Sequence, residues 1–467
     1  MLGEWRGGVS TYQSLADGIR ILSLDRRIVS GTYLPAEREL ATGLGLSRTT
    51  VAAAYRSLRE SGHIESVRGS GSVTVPVGRV GAPVPAGVGA IDLHQASPPA
   101  WSGLAELFAD AARDAASLLA RPGYEMVGLL GLREAIAERY SAGGLATTPD
   151  QIIVTPGAQS AISLVAEVIL RRGDRSAVET PTYPHAVDVL RQLDTHPMAI
   201  PVDPRAGWDM ERAEHVLRRG GPRLAYLMPD FHNPTGATMP AEGRRAILEA
   251  SRDAGVTVVI DETTADLDID SPHKLPPFGA GVDPLLTRQL VTIGSLGKTV
   301  WGGLRIGWIR ADHDLVARLV AARPRRDLGT AEFEQVVAER AIRRMPEILE
   351  SRSRLLRTSR DALVSALEEQ FPEWDIPRPH GGVALWVGLG APVSSPLALA
   401  LAVRERGVVL SSGPRFGVDG GHERHLRIPF TAPPDVLREA VVHLADAWQD
   451  MGSRGWSTRT DPLLAVV

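Results

Sequence analysis

The sequence predicts a chain in two parts, a small winged helix-turn-helix head and a large α/β body built on a mainly parallel sheet. Three observations carry that reading. The chain has 467 residues, more than one hydrophobic core usually serves. Residues 76–90, "PVGRVGAPVPAGVGA", are Pro, Gly, Ala and Val with a single charge and no amphipathic period, which is linker composition. Beyond residue 130, helical stretches alternate with short, continuously apolar runs, the pattern of buried parallel strands. The expected division is therefore 1–75 for the head, 76–90 for the linker and 91–467 for the body. A smaller C-terminal α+β subdomain is expected from about residue 330.

Within the head, residues 12–30 carry Leu15, Ile19, Leu22 and Ile28 at near-helical spacing. A short helix follows in "PAERELATGL", starting just after Pro35. Ser47 is a good N-cap for a third helix, "RTTVAAAYRSLRESG", which Gly62 can end. "HIESVRGSGSVTV" then alternates around Gly69 and Gly71 as a hairpin does. Two short helices joined by a tight Gly-containing turn, then two strands, make a winged helix-turn-helix. A recognition helix opening Ser47-Arg48-Thr49-Thr50 brings a guanidinium and three hydroxyls to the end that enters a major groove. Arg68, at the hairpin tip, suits a wing touching backbone or minor groove. From spacing alone, a small helical interaction domain explains the same features.

Composition narrows the class. Hydrophobic residues at 43% and charged residues at 23% are those of an ordinary globular protein. A net charge of −4 argues against coating nucleic acid or membrane by charge alone. The head carries nine arginines against seven acids over residues 1–78, about +2, so DNA binding would rest on placed contacts. With no cysteine there is no disulfide, thiolate metal site or thiol nucleophile, and no metal is expected. The opening "MLGEWRGGVSTYQSL" lacks the apolar core of a signal peptide, and no run approaches the roughly 18 apolar residues of a membrane span. A cytoplasmic protein is the expectation.

In the body, "QIIVT" precedes "AQSAISLVAEVIL", and "LAYLM", "VTVVIDE", "QLVTIGSL" and "GLRIGWIR" follow as further apolar runs. Polar residues punctuate their ends, where such sheets bind ligands. Gly157 stands at a helix start, so the amides of Ala158 and Gln159 can face an anion. Tyr183 sits in a Pro-bounded loop, "NPTG" at 233–236 is a turn with an amide side chain, and Asp261 ends a buried strand. Singly, each has a bland reading as turn or cap. Only two lysines occur, Lys274 and Lys298, against 49 arginines. Arginine replaces lysine as a charge but cannot form an imine, so Lys298, between "SLG" and "GGLR", points to chemistry needing a deprotonatable amine. The ordered set fits pyridoxal 5′-phosphate (PLP), which needs an amine, an acid for its ring nitrogen, a donor to its phenolate oxygen, a ring to stack on and a phosphate cradle.

Two resemblances sharpen this. "LPAERELATGLGLSRTTVAAAYRSLRESGHIESVRGSGSVTV" resembles the DNA-binding domain of GntR-family repressors, which implies contacts to double-stranded operator DNA from Arg38, Arg48, Thr49, Thr50, Arg68 and Gly69. Residues 125 to about 445 resemble fold-type-I aminotransferases in motif order. That resemblance implies that Lys298 forms the imine with PLP, Asp261 pairs with the ring nitrogen, Asn233 bonds the phenolate oxygen and Tyr183 stacks on the ring. Ala158, Gln159, Ser295 and Arg305 would hold the phosphate, and Arg427 in "HLRIPFT" would clamp a carboxylate. A head of the first kind on a body of the second resembles the MocR subfamily of bacterial regulators. It implies a homodimer, with the head of one chain on the body of the other. The 15-residue linker can span roughly 20–45 Å depending on its stiffness, which permits that crossing and does not require it. The expected function is a PLP-binding transcriptional regulator sensing an amine, an amino acid or PLP itself. The alternatives are a working aminotransferase with an accessory head and a PLP-free DNA-binding scaffold.

Three departures bear on turnover. "DETTAD" has Thr263 or Thr264 where a tyrosine usually shares the phenolate, Ser-Leu-Gly-Lys loses a hydroxyl at Gly297, and Tyr124 is an imperfect match to a tyrosine reaching the partner's phosphate. Asp266 would be next in line should Asp261 not be the acid.

Overall fold

The computed structural model describes residues 11–24, 28, 31–67, 71–75, 90–270, 275–390, 396–418 and 420–453. In the head, helices α1 (Thr11–Leu24), α2 (Glu37–Leu44) and α3 (Arg48–Glu60) pack with strands β1 (Tyr33–Leu34), β2 (Ile64–Val67) and β3 (Gly71–Thr74). Leu15 and Ile19 of α1 meet Val51, Ala54, Tyr55 and Leu58 of α3 and Ile64 of β2 in one buried core. Gly45 takes φ +63 to reverse the chain after α2, a conformation that favours glycine. Ser47 caps α3 as its position predicts, its Oγ accepting from the Thr50 amide at 3.1 Å. Replacing Ser47 with Ala is expected to cost about 1 kcal/mol of head stability, read as a lower melting temperature for the head.

Two expectations for the head need correction. Ile28, expected on the first helix, lies in a bend with its amide on the Leu22 carbonyl at 2.9 Å, so the helical spacing of Leu15, Ile19 and Leu22 does not extend to it. The hairpin also gains a third strand, because Tyr33 and Leu34 pair antiparallel with Val73 and Ser72. The wing residues Arg68 and Gly69, like Lys274 and linker residues 76–89, lie outside the described residues.

The body's strands, in chain order, are β4 (Ile91–Asp92), β5 (Ile152–Thr155), β6 (Arg175–Thr180), β7 (His196–Asp203), β8 (Gly207–Trp208), β9 (Leu224–Leu227) and β10 (Thr257–Asp261). They continue as β11 (Leu290–Ser295), β12 (Gly307–Arg310), β13 (Ala384–Gly388), β14 (Val408–Val409), β15 (Ser411–Ser412) and β16 (His425–Pro429). Eight form one sheet in the order β5-β12-β11-β10-β9-β6-β7-β8. The centre is parallel, as the alternation with helices predicts. β12, expected as one more strand of that alternation, instead runs antiparallel to both β11 and β5. The reason is connection length. Residues 296–306 hold a turn and a short 3-10 segment, with no crossover helix to return the chain parallel.

Helix Ala158–Ile169 buries Ala161, Ile162 and Val165 on one face of this sheet against Val178, Val259 and Ile309. The other face packs Ile247 and Leu248 of helix Ala241–Ala254 against Ala225, Leu227, Val258 and Ile260. A second sheet, β13-β16-β15, has its own core, where Leu385, Val387, Leu426 and Ile428 meet Leu363 and Leu367. The long helix Met345–Gln370 serves both halves. Met345 and Ile348 pack with the large sheet's flanking helices, and Leu356 onward packs with the small sheet. Leu93 and Ala96, from the very start of the body, belong to the small sheet's core because β4 pairs with β14. Among the described residues no helix is long and apolar enough to cross a membrane.

Candidate cofactor and ligand site

The residues predicted to act together converge at one end of β5, β10 and β11. β11 ends at Ser295, and the turn after it presents Lys298. The Ser295 hydroxyl builds this turn, donating to the Ile306 carbonyl at 3.1 Å and accepting from the Gly297 amide at 3.0 Å. Lys298 Nζ donates to the Ala96 carbonyl. Burial, and then the nearby Arg427 charge, lower the Lys298 amine to about 8, with Asp261 opposing. This is the depressed pKa that a nucleophilic lysine requires.

Asp261 closes β10 beside β11 and is 2% exposed. Its Oδ1 accepts from the Thr263 amide at 2.9 Å and its Oδ2 from the Tyr226 hydroxyl at 2.6 Å. Burial pushes its carboxyl upward, and those donors oppose the shift. Tyr183 caps the helix Pro184–Gln192 with its ring edge-on to His185. Burial raises its phenol to about 12, and the Asp261 charge adds to that. Arg427, on β16, is 7% exposed and has no carboxylate partner among the described residues. It donates to the His94 carbonyl and stacks over Phe416 at 5.0 Å, while its Nε is buried without an acceptor. Burial lowers the guanidinium to about 10, with Tyr183 opposing.

An anion cradle forms where β5 meets helix Ala158–Ile169. Gly157 caps that helix with φ +87, and a Cβ there would lie 2.7 Å from Arg305 Nη2. Arg305 itself holds φ +54 and donates to the Pro156 carbonyl at 2.9 Å. A Cβ on Gly307 would stand 2.8 Å from the Ala158 amide nitrogen. Only glycine keeps that helix N-terminus open to an anion. Gln159 reaches the His185 carbonyl through Nε2 at 3.4 Å, while its Oε1 is buried without a partner. Asn233, in the loop after β9, likewise buries an unpartnered Oδ1.

The departures resolve individually. The Thr264 hydroxyl donates to the Asp230 carbonyl at 2.7 Å, so it is turned to the loop's own backbone. Asp266 pairs with Arg139. Tyr124 is 69% exposed, on the body's surface.

Sequence reasoning missed a strap over the site. Residues 91–101 run from β4 to Trp101, whose amide bonds the Val300 carbonyl at 2.9 Å. Between those anchors the carbonyls of His94 and Ala96 accept from Arg427 and Lys298, and the Ser97 hydroxyl reaches the Gly297 carbonyl at 3.5 Å. Arg352 of the long helix, 4% exposed, ties strap to turn by donating to the carbonyls of Pro99, Thr299 and Val300 at 3.0, 2.8 and 3.2 Å. Nothing local marks Arg352 among the chain's arginines, and only "SPP" hints at the strap.

On the head, Arg38, Ser47, Arg48 and Thr49 are exposed and Thr50 is half-buried. The Arg48 side chain is 75% exposed, 4.0 Å from Glu37. The Ser47 hydroxyl lies 2.8 Å from that of Thr49 and 2.7 Å from that of Thr50, so the three hydroxyls form a cluster at the start of α3.

A half-buried amine of lowered pKa, a buried carboxylate, an open helix N-terminus and unpartnered amide oxygens fit PLP. Residues 107–444 match the family model for aminotransferase class I and II, and residues 11–73 match that for bacterial regulatory proteins of the gntR family. The chain is similar to an HTH-type transcriptional regulator of Bacillus subtilis, YdfD, at 26% identity over 91% of this chain and 93% of that one. It is 30% identical to the probable rhizopine catabolism regulatory protein MocR of Rhizobium meliloti, over 64% of this chain and 65% of that protein. The fold matches the crystal structure of α-aminoadipate aminotransferase from Thermus thermophilus, complexed with N-(5′-phosphopyridoxyl)-L-leucine. The TM-score is 0.70 at 26% identity, over 81% of this chain and 97% of that one. The chain belongs to the PLP-dependent class I and II aminotransferase family and joins that domain to a gntR-type DNA-binding head, the architecture of the MocR subfamily of regulators.

Proposed function

We propose that this protein is a transcriptional regulator that binds operator DNA through residues 1–75 and senses a small molecule in a PLP-holding body, residues 91–467. The observation that carries the sensing role is Arg427, a buried cation near the half-buried amine of Lys298, with no carboxylate partner among the described residues. A buried unpaired charge is costly, and a ligand carboxylate would relieve it. The preferred effector is therefore an amine bearing a carboxylate, such as an amino acid, with PLP itself the other candidate. When bound, the cofactor supplies an aldehyde that an amine can join and a ring that withdraws electrons. Lys298 would hold it covalently, Asp261 would face the ring nitrogen, Tyr183 its ring, and Asn233 its phenolate oxygen. Ala158, Gln159, Ser295 and Arg305 would surround its phosphate.

The strap offers a route from site to head. It follows the linker directly, and its carbonyls share the donors of Arg427 and Lys298 with any ligand those groups engage. A homodimer with heads crossed onto partner bodies suits a palindromic operator. The exposed Leu119, Tyr124, Leu130 and Leu328 supply apolar surface for such pairing. The work is assigned to the cytoplasm, where the DNA is.

The deciding experiment pairs a gel-shift assay on the upstream intergenic DNA with a transamination assay, both across an amino-acid panel with PLP. A ligand-dependent shift without turnover supports the regulator. Fast turnover with no ligand effect on DNA would favour the second reading, an active aminotransferase with an accessory head. The retained Lys298, Asp261 and Arg427 speak for that reading, and the Thr264 hydroxyl turned to Asp230 speaks against it. For the head, Arg48→Ala is expected to lower operator affinity by roughly 1–3 kcal/mol if the guanidinium reads a base. If it touches only phosphate, affinity falls evenly across sequences and the salt slope shrinks by about one. Binding titrations at matched salt, against operator and scrambled DNA, distinguish the two.

A further inference from the structure

Tyr226 belongs to β9, whose other residues, Leu224, Ala225 and Leu227, are apolar and buried. A phenylalanine would serve that packing equally well, yet the chain places a phenol there, 2% exposed. β9 lies parallel to β10 with Tyr226 opposite Val259, so the ring lies on the face that Asp261 shares, one alternation further on. Its hydroxyl donates to Asp261 Oδ2 at 2.6 Å, while the Thr263 amide takes Oδ1 at 2.9 Å. The carboxylate is thus held at both oxygens by donors from two elements. We propose that Tyr226 is a positioning residue for the cofactor, fixing Asp261 in orientation and as an anion so that it can recognise a protonated ring nitrogen.

The physical requirement is plain. Asp261 is buried, and Glu179, itself fully buried and held by Trp208 Nε1 at 2.7 Å and the Met228 amide at 2.8 Å, adds negative charge to its surroundings. Both effects favour a protonated Asp261, and a protonated acid offers the ring nitrogen no negative charge. Hydrogen bonds donated to the charged form are what keep a buried carboxylate ionised. The Thr263 side chain and amide contribute from the residues just after the acid, and Lys298 adds a positive charge nearby, while Tyr226 is the donor that reaches Oδ2 from a neighbouring strand. Removing only its hydroxyl keeps the ring's packing and leaves Asp261 freer to turn and to take a proton.

This inference rests on the PLP reading above, and the test separates the two. The apoprotein is titrated, by fluorescence quenching, with PLP and with an analogue whose ring nitrogen is replaced by carbon. Wild type is expected to prefer PLP, Asp261→Ala to lose that preference, and Tyr226→Phe to lose about tenfold of it. Tyr226→Met, which fills the space without the ring, repeats the measurement if Tyr226→Phe folds poorly. Equal weakening toward both ligands, or a wild-type preference in both variants, would overturn the positioning role and leave the cofactor reading standing. A wild type that bound neither ligand would overturn both.

Discussion

Lys298→Ala protein is expected to lose the visible absorbance of covalently held cofactor entirely while keeping its fold and its intrinsic affinity for operator DNA. The amine is the group that can join an aldehyde, and its turn is held by Ser295 and Arg352, neither of which depends on the Nζ atom. Borohydride should fix the cofactor to the wild-type chain at Lys298 and leave the variant unlabelled, as peptide mapping would show. Unchanged absorbance in the variant would move the assignment to Lys274. The rate at which wild-type apoprotein takes up PLP carries a second signature. Attachment needs the neutral amine, and desolvation together with the nearby Arg427 charge lowers the Lys298 amine from the usual lysine value to about 8. The uptake rate is therefore expected to rise as pH climbs through about 8 and to level off above it. A rate still rising steeply at pH 10 would mean that the amine is not lowered.

Arg427→Ala is expected to weaken a carboxylate-bearing effector about ten- to a hundredfold, the worth of a charge-assisted fork at roughly 1.5–3 kcal/mol. PLP affinity should barely change, because the guanidinium belongs to β16 and the phosphate cradle to the start of helix Ala158–Ile169. Arg427→Lys keeps a positive charge without the planar fork, so it should recover only part of the loss. Effector titrations of DNA binding, run on all three proteins at fixed PLP, read this directly. Equal responses would point to an effector without a carboxylate, or to PLP as the signal.

Much of the site was legible in the sequence because its chemistry imposes residue types at the ends of buried strands. Lys298 stood out as an amine among arginines, Asp261 as an acid ending an apolar run, and Gly157 as a helix start. What escaped was whatever acts through a neighbour. Tyr226 looked like an ordinary strand aromatic, and only the pairing of β9 with β10 turns its hydroxyl onto Asp261. Arg352 lies more than fifty positions from the turn that it holds and is one of 49 arginines.

By itself, the sequence determined the two-part architecture and the helical and strand character of most elements, and it named the candidate groups for PLP. These are local properties: periodicity, caps, turn glycines and the scarcity of lysine are all read within a few residues. Tertiary structure alone decided the direction of β12, where a connection too short for a crossover forces an antiparallel return. It also decided that residues 91–101, next to the linker, join the core of the C-terminal sheet and cross the site, because β4 finds its partner in β14 more than three hundred residues away. Pairing at that separation leaves no periodic mark on either strand. It is fixed by which buried surfaces the completed fold brings together.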